Sequence, residues 1–574
     1  MSLIEVVVSL AIISLLFGGI LLAYFSIINI VKNSEARSEA VIILNREEEV
    51  VKNLSYENIG VQGGYPTGVL LAEKTATSTK NIFVIKTTVR NIDDPYDGTI
   101  GGVPNDTAPA DYKLLEISIN CTNCPYFVPL ATTSTIAPKN LESASADGSL
   151  FINVFNAAGV GISGATINIS NSSTIPTLNF TDTTNQSGVL QLIGVPTSTQ
   201  SYHVKVSKEG FSSDQTYKIN DPLNPNPIKP DATVIPQTVT QLSFVIDLVG
   251  SLIFSTTNNL CDAIGNQPLT ISGTKLIGTD PDVLKFSTTT TTDAGGIKIL
   301  NNIEWDTYQF NYTGAKDLAG TTILSPLQFN PGTVATIGLT LASSTPKALL
   351  VTARNAITNA GIQDAIVTIN KTGFSKNQIT GRSIFTQDDW SGSNYTSQSG
   401  NLDTTSSSLK LQSGPDGYPT STPEWLISKT FDLKSSSSTF HTIEWQPTTQ
   451  PSQTSLQFQI ATNNDQSTWN FIGSDGTANS FYDQSNSTIN ILNNNKQYLR
   501  YKVFLKTENS SQTPSLDDVS VKFTGICVPL YQTLFNNLDA GIYAVDVSAI
   551  GYQSASSTID VNSSWQQLDI LLNP

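Results

Sequence analysis

Between Glu5 and Lys32 the chain runs 26 residues without a charged side chain, and no other feature restricts its fold as sharply. About 20 consecutive apolar residues suffice to cross a bilayer as a helix, so this stretch spans a membrane with length to spare. A secretory signal peptide is a poor match, because it would open with basic residues and close on a small-residue cleavage site. Here the charged residue nearest the start is acidic. Beyond Lys32, Ala36, Ala40, Ile43, Leu44, Val50, Val51 and Leu54 recur at steps of three and four, the period of a helix with one face to bury. The spacing predicts one continuous helix over residues 1–54 that begins in a membrane and ends packed on a soluble domain.

Glu5, between Ile4 and Val6, needs an account of its own. An acidic side chain at the centre of a membrane helix costs roughly 2.5–3.5 kcal/mol. Two readings stay open. Either Glu5 sits at the interface, where the cost is small, or it neutralises a positive group on a neighbouring subunit.

Met1-Ser2-Leu3-Ile4-Glu5 followed by VVVSLAIISLL resembles the class III signal of type IV prepilins and type II secretion pseudopilins. The resemblance implies that a prepilin peptidase removes a short leader, that Met1 carries the methylated amine, and that Glu5 pairs with the amine of an adjacent subunit. It also implies residence in the bacterial inner membrane before assembly, then in an extracellular filament built with other pilin subunits through this helix. The chain departs from the pattern at Met1, where Phe is commoner, and at Leu22, where many major pilins carry Pro. No leader precedes Met1, which leaves open a mature chain or a late start.

After the turn VQGGYPTG, the runs NIFVIKTTVRNIDD and DYKLLEISINC alternate apolar and polar residues, as half-buried antiparallel strands do. The second run, led by Asp111, Tyr112 and Lys113, resembles the final sheet of V/I-type minor pilins. The expectation is an α+β pilin head over 1–145, with its β part at 55–145. A repeat then sets in. SLFINVFNAAGVGISGATINISN, SLIFSTTNNLCDAIGNQPLTISG and ALLVTARNAITNAGIQDAIVTIN each open a copy, and VTQLSFVID, VATIGLTLA and WQQLDILLN each close one. Short strands punctuated by Gly-bearing turns predict tandem β-sandwiches, at 146–247, 248–345 and 346–574. Gly541, Tyr543, Val545, Val547, Gly551 and Tyr552 carry a resemblance to carboxypeptidase regulatory-like domains, which are spacers and interaction modules. The third copy breaks near Ile379 and resumes near Cys527. Residues 381–525 hold four of the six tryptophans, Trp390, Trp425, Trp445 and Trp469, and resemble a galactose-binding-like jelly roll. The fold class expected is mainly β and multidomain, behind one long N-terminal helix.

Composition narrows function further. With 31 Lys and Arg against 47 Asp and Glu, the net charge of −16 repels phosphate backbones and disfavours nucleic acid as a partner. His203 and His441, the two histidines, leave little for general-base or metal chemistry. Neither a nucleophile–base–acid set nor a phosphate loop is visible, so catalytic residues and cofactors are not expected. Asp93, Asp94 and Asp97 crowd one loop, where a solvated acidic turn is favoured over calcium because the spacing of an EF-type loop is missing. Cys121 and Cys124 form a CxxC that ends a strand before Pro125, which favours a local disulfide over zinc, since no further Cys or His lies nearby. Cys261 and Cys527 either pair or stay as buried thiols. The tryptophans read as core packing for the most part, with a sugar-stacking platform as the alternative.

The function expected is that of a minor or tip pilin presenting adhesive β-modules to a surface glycan or protein. The alternatives are a secretion pseudopilin engaging cargo and a pilin-tethered enzyme.

Overall fold

The computed structural model describes residues 3–78, 80–139 and 146–574. Within the first helix it describes side chains at Ile12 and from Leu16 onward. The chain is mainly β, with a single long N-terminal helix followed by sheet after sheet. Helix α1 covers Leu3–Lys52 without a break. Its second half lies on an antiparallel meander of β1 (Glu73–Thr77), β2 (Ile82–Ile92), β3 (Tyr112–Cys121) and β4 (Leu130–Ile136). Alternation sets the face. In β2 and β3 every second residue, Phe83, Ile85 and Val89 with Leu115, Ile117 and Ile119, points at the helix and is buried. The helix answers with Ala40, Leu44 and Val51. The small side chains of Ala36 and Ala40 let backbone and sheet approach closely; both are fully buried.

Three sandwiches share one topology. Each opening strand, Gly148–Phe155, Gly250–Thr257 and Ala348–Asn355, is flanked by the closing strand of its own copy in parallel and by a middle strand in antiparallel. The closing strands are Val239–Val245, Val334–Ala342 and Trp565–Leu572. Parallel strands require a crossover rather than a hairpin, and here the rest of each copy serves as that crossover. A second sheet, built on Thr166–Asn171, Pro268–Ser272 and Ile366–Lys371, covers the opening sheet in each copy. Separate apolar cores result, one from Leu150 to Ile246, one from Leu252 to Leu339, and one shared by Leu349–Ile369 and Phe535–Leu572.

A further core, from Phe385 to Val528, belongs to the segment within the third copy. Its first strand, Ser383–Gln387, pairs antiparallel with its last, Asp518–Thr524, with Ser383 opposite Phe523. Entry and exit therefore lie side by side. Trp390 and Trp445 are buried in this core. Trp425 and Trp469 instead stand half-buried beneath cations, with Lys502 Nζ 4.5 Å from the Trp425 ring centre and the Arg500 guanidinium 4.1 Å from that of Trp469.

Candidate functional site

The N-terminal helix divides into two halves of opposite character. From Leu16 to Phe25 its large apolar side chains are exposed, Leu22 at 73% and Phe17 at 65%. Among the described residues nothing covers them, and the helix is long and apolar enough to cross a membrane. The second half is fastened. Glu47, buried on the sheet side, holds Lys74 of β1 and Arg46. Burial raises its carboxyl pKa, but those two cations outweigh burial and hold it below the usual carboxylate range. Glu39 accepts from Ser78 Oγ at 3.0 Å and Asn81 Nδ2 at 2.9 Å, and Glu35 pairs with Lys80 at 3.0 Å. Below the helix end, Lys113 Nζ donates to the carbonyls of Tyr56 at 2.8 Å and Ile59 at 2.6 Å. Met1 lies outside the described residues. Glu5 falls within the helix, but its side chain is not among those described.

The head is also docked to the first sandwich. Arg90 on β2 holds Asp182, Asn91 Nδ2 donates to the Ile193 carbonyl at 3.0 Å, and Tyr65 donates its hydroxyl to the Gly194 carbonyl. Sequence reading missed all three. Tyr65 sits in the VQGGYPTG turn, whose glycines signal a turn but not what the turn touches.

Other singled-out residues have structural partners. Cys121 and Cys124 form a disulfide at the end of β3. In the acidic loop, Asp93 accepts from the Ile100 backbone at 2.9 Å and Asp94 from Tyr96 at 3.2 Å. Burial raises the Asp93 carboxyl, aided by Asp106, Asp111 and Asp97. Among the described residues no three Asp, Glu, His or Cys side chains gather as a metal site would require. His203 Nδ1 meets Asp231 at 2.9 Å, and Thr216 Oγ1 approaches the same nitrogen at 3.4 Å. A relay needs nucleophile and acid on opposite ring nitrogens, which this arrangement does not offer. His441 Nε2 is bonded to Thr524 Oγ1 at 2.9 Å.

A concavity lies where the second sandwich, the third sandwich and the inserted module meet. It encloses about 710 Å³, within the roughly 300–1,000 Å³ of ordinary ligand pockets. Fixed contacts build its walls. The Cys261–Cys527 disulfide joins residues 266 positions apart. Asn259 Nδ2 of the second sandwich donates to Ser383 Oγ at 2.9 Å and to the Ile384 carbonyl at 2.8 Å. Thr340 Oγ1 donates to the Cys527 carbonyl at 2.7 Å, and Gln532 Oε1 accepts from the Thr321 backbone at 2.7 Å. Close packing at Gly320 keeps the seam tight: with φ at +141°, a Cβ there would fall 2.7 Å from Pro529 and Gln532. Lys316, Arg382 and Lys522 line the cleft, and among the described residues no Asp or Glu does.

No family model and no curated protein matches the chain. Among solved structures, the Bacillus anthracis TIE protein aligns over 87% of this chain and 73% of its own, at 9% identity and a TM-score of 0.15. The shaft pilin SpaA from Lactobacillus rhamnosus GG covers 35% of this chain over its full length, at 11% identity and a TM-score of 0.14. A streptococcal ancillary pilin covers 74% of this chain and 98% of its own, at 10% identity and a TM-score of 0.14. At such scores the likeness assigns neither fold family nor role to this chain.

Proposed function

We propose that the chain is a structural subunit, a minor or tip pilin, of a type IV pilus-like filament, displaying its β-modules outside the cell. One observation carries this reading. A single unbroken helix leaves its first half bare and apolar while its second half is buried on a four-stranded meander. A membrane covers such a half before assembly; the same half of other subunits covers it in a filament. The bulk of three sandwiches and an inserted module suits a tip or occasional subunit, since a repeating shaft must accommodate every copy. Met1 supplies the processed amine and Glu5 its counter-charge on the neighbouring subunit. The role is adhesive rather than catalytic, a reading supported by the arrangement of partners around His203 and His441.

Glu5→Ala tests the assembly step. The variant inserts into the membrane at the wild-type level but fails to enter filaments, as read by immunolabelling of sheared fibres. Wild-type incorporation would overturn the proposal.

A further inference from the structure

We infer that the cleft between the second sandwich, the third sandwich and the inserted module is a binding site for a carboxylated oligosaccharide. This names a ligand for the modules proposed above to be adhesive, and it rests on that reading only in taking them to face outward. Three features of the cleft point to such a ligand.

The first is charge. Acidic residues outnumber basic ones across the chain, yet among the described residues the cleft is lined by three cations and no carboxylate. Arg382 and Lys522 are tethered from outside the lining by Asp364 and Glu444, which fixes their positions without filling the cleft. Lys316 is half-buried, and among the described residues no carboxylate pairs with it. An anion entering here gains charge-assisted hydrogen bonds without displacing an internal partner of Lys316.

The second is the neutral lining. Asn377, Asn486 and Asn536 line the cleft with side-chain amides, beside Gln378, whose Oε1 already accepts from Thr533 Oγ1, and Thr442 with a hydroxyl. An amide presents donor and acceptor side by side, and a hydroxyl does both. That pairing suits the neighbouring hydroxyls of a sugar, whereas a bare inorganic anion would use only the donors. Ile264, Ile379 and Ile384 add apolar surface, which suits the C–H face of a pyranose ring.

The third is preorganisation. A site shared by three modules would ordinarily lose its shape as they move. The Cys261–Cys527 bond and the Asn259 hydrogen bonds hold this one in place, which lowers the ordering cost of binding.

The test is calorimetry on the full chain in detergent micelles, which requires no filament assembly and so stands or falls separately from the Glu5 experiment. The probes are tetramers of galacturonate, alginate and hyaluronan, with the methyl-esterified galacturonate tetramer and a heparin tetrasaccharide as comparators. At least one carboxylated tetramer binds, and its esterified or otherwise uncharged counterpart binds at least tenfold more weakly. Lys316→Ala weakens the acidic ligand at least tenfold. Asn377→Trp, at an exposed rim position, removes binding while leaving the thermal midpoint unchanged. The inference is overturned by equal affinity for acid and ester, by wild-type affinity in either variant, or by failure of all three tetramers at millimolar concentration. Binding of heparin alone would also overturn it, by moving the recognition from carboxylate to sulfate.

Discussion

Arg90 of the head grips Asp182 of the first sandwich through both carboxylate oxygens, Nε on one at 2.9 Å and Nη2 on the other. The carboxylate is almost wholly buried, and it pushes the guanidinium pKa above its usual value. Paired, planar contacts of this kind fix an angle as well as a distance. Asn91 and Tyr65 bind the consecutive Ile193 and Gly194 carbonyls, so the head is locked to the first sandwich by three side chains rather than tethered to it.

Arg90→Met, which keeps the aliphatic stem, therefore leaves Asp182 buried and without its cation. The expected loss is about 1–3 kcal/mol at this seam, seen as faster amide exchange over the strand Leu178–Thr183 with the remote third sandwich unaffected. Unchanged exchange in that strand would show that the pair contributes nothing to docking.

Lys113 makes the head sensitive to alkaline pH. Burial pushes its ammonium pKa down to about 8, against an ordinary 10.5, despite the nearby Glu57. Between those values the unfolded chain holds a proton that the folded head has released, so stability rises with pH across that window. The cost of burying the charge is fully present below about pH 8 and disappears above 10.5. The difference in unfolding free energy between wild type and Lys113→Met should shift by about 2 kcal/mol in favour of wild type from pH 7.5 to 10. A difference that is flat with pH would place the charge in water instead.

Tyr501 anchors the polar centre of the inserted module. Its hydroxyl donates to Gln387 Oε1 at 2.8 Å and accepts from Trp390 Nε1 at 3.3 Å, all within the core. Tyr501→Phe keeps the ring but strands one acceptor and one donor where water cannot reach. A loss of about 2 kcal/mol is expected, measured as a lower midpoint for the module's transition in urea. A loss below about 0.5 kcal/mol would mean that the core relaxes around the missing hydroxyl.

Much of this architecture was legible in the sequence, and the unread parts share a cause. The break at Lys32, the buried stripe of Ala36, Ala40, Leu44 and Val51, and the alternation in β2 and β3 are local patterns, and local patterns are what a sequence displays. Even there the stripe ran one residue wide: Val50 is half exposed because its neighbour Val51 already occupies the inward position. Partners are another matter. Nothing in SLIFSTT or VATIGLTLA announces that the two strands lie parallel and adjacent, and nothing near Cys261 names Cys527. The tryptophans divide for the same reason. Trp390 and Trp445 went to the core, whereas Trp425 and Trp469 lie beneath Lys502 and Arg500, cations contributed by a strand well removed in sequence. The cleft was unreadable altogether, because its lining comes from three modules and none of its residues is unusual alone.

Removing residues 381–525 tests the division of the last third of the chain. The strand Phe374–Ile379 precedes the insertion and Gln532–Phe535 follows it, and Thr533 Oγ1 donates to Gln378 Oε1 at 2.6 Å. A short polar turn can therefore join the two sides without moving either. Every core residue of the third sandwich, from Leu349 to Ile369 and from Phe535 to Leu572, is retained, as are helix α1 and the head. The deleted chain should keep the protected amides of Ala348–Asn355 and Gly541–Ser548 and enter filaments normally. It should also lose acidic-glycan binding, because Arg382, Thr442, Asn486 and Lys522 leave with the insertion. Loss of amide protection in Ala348–Asn355 would show that insertion and sandwich form one cooperative unit. Retained binding alongside a folded third sandwich would place the ligand elsewhere than in the cleft.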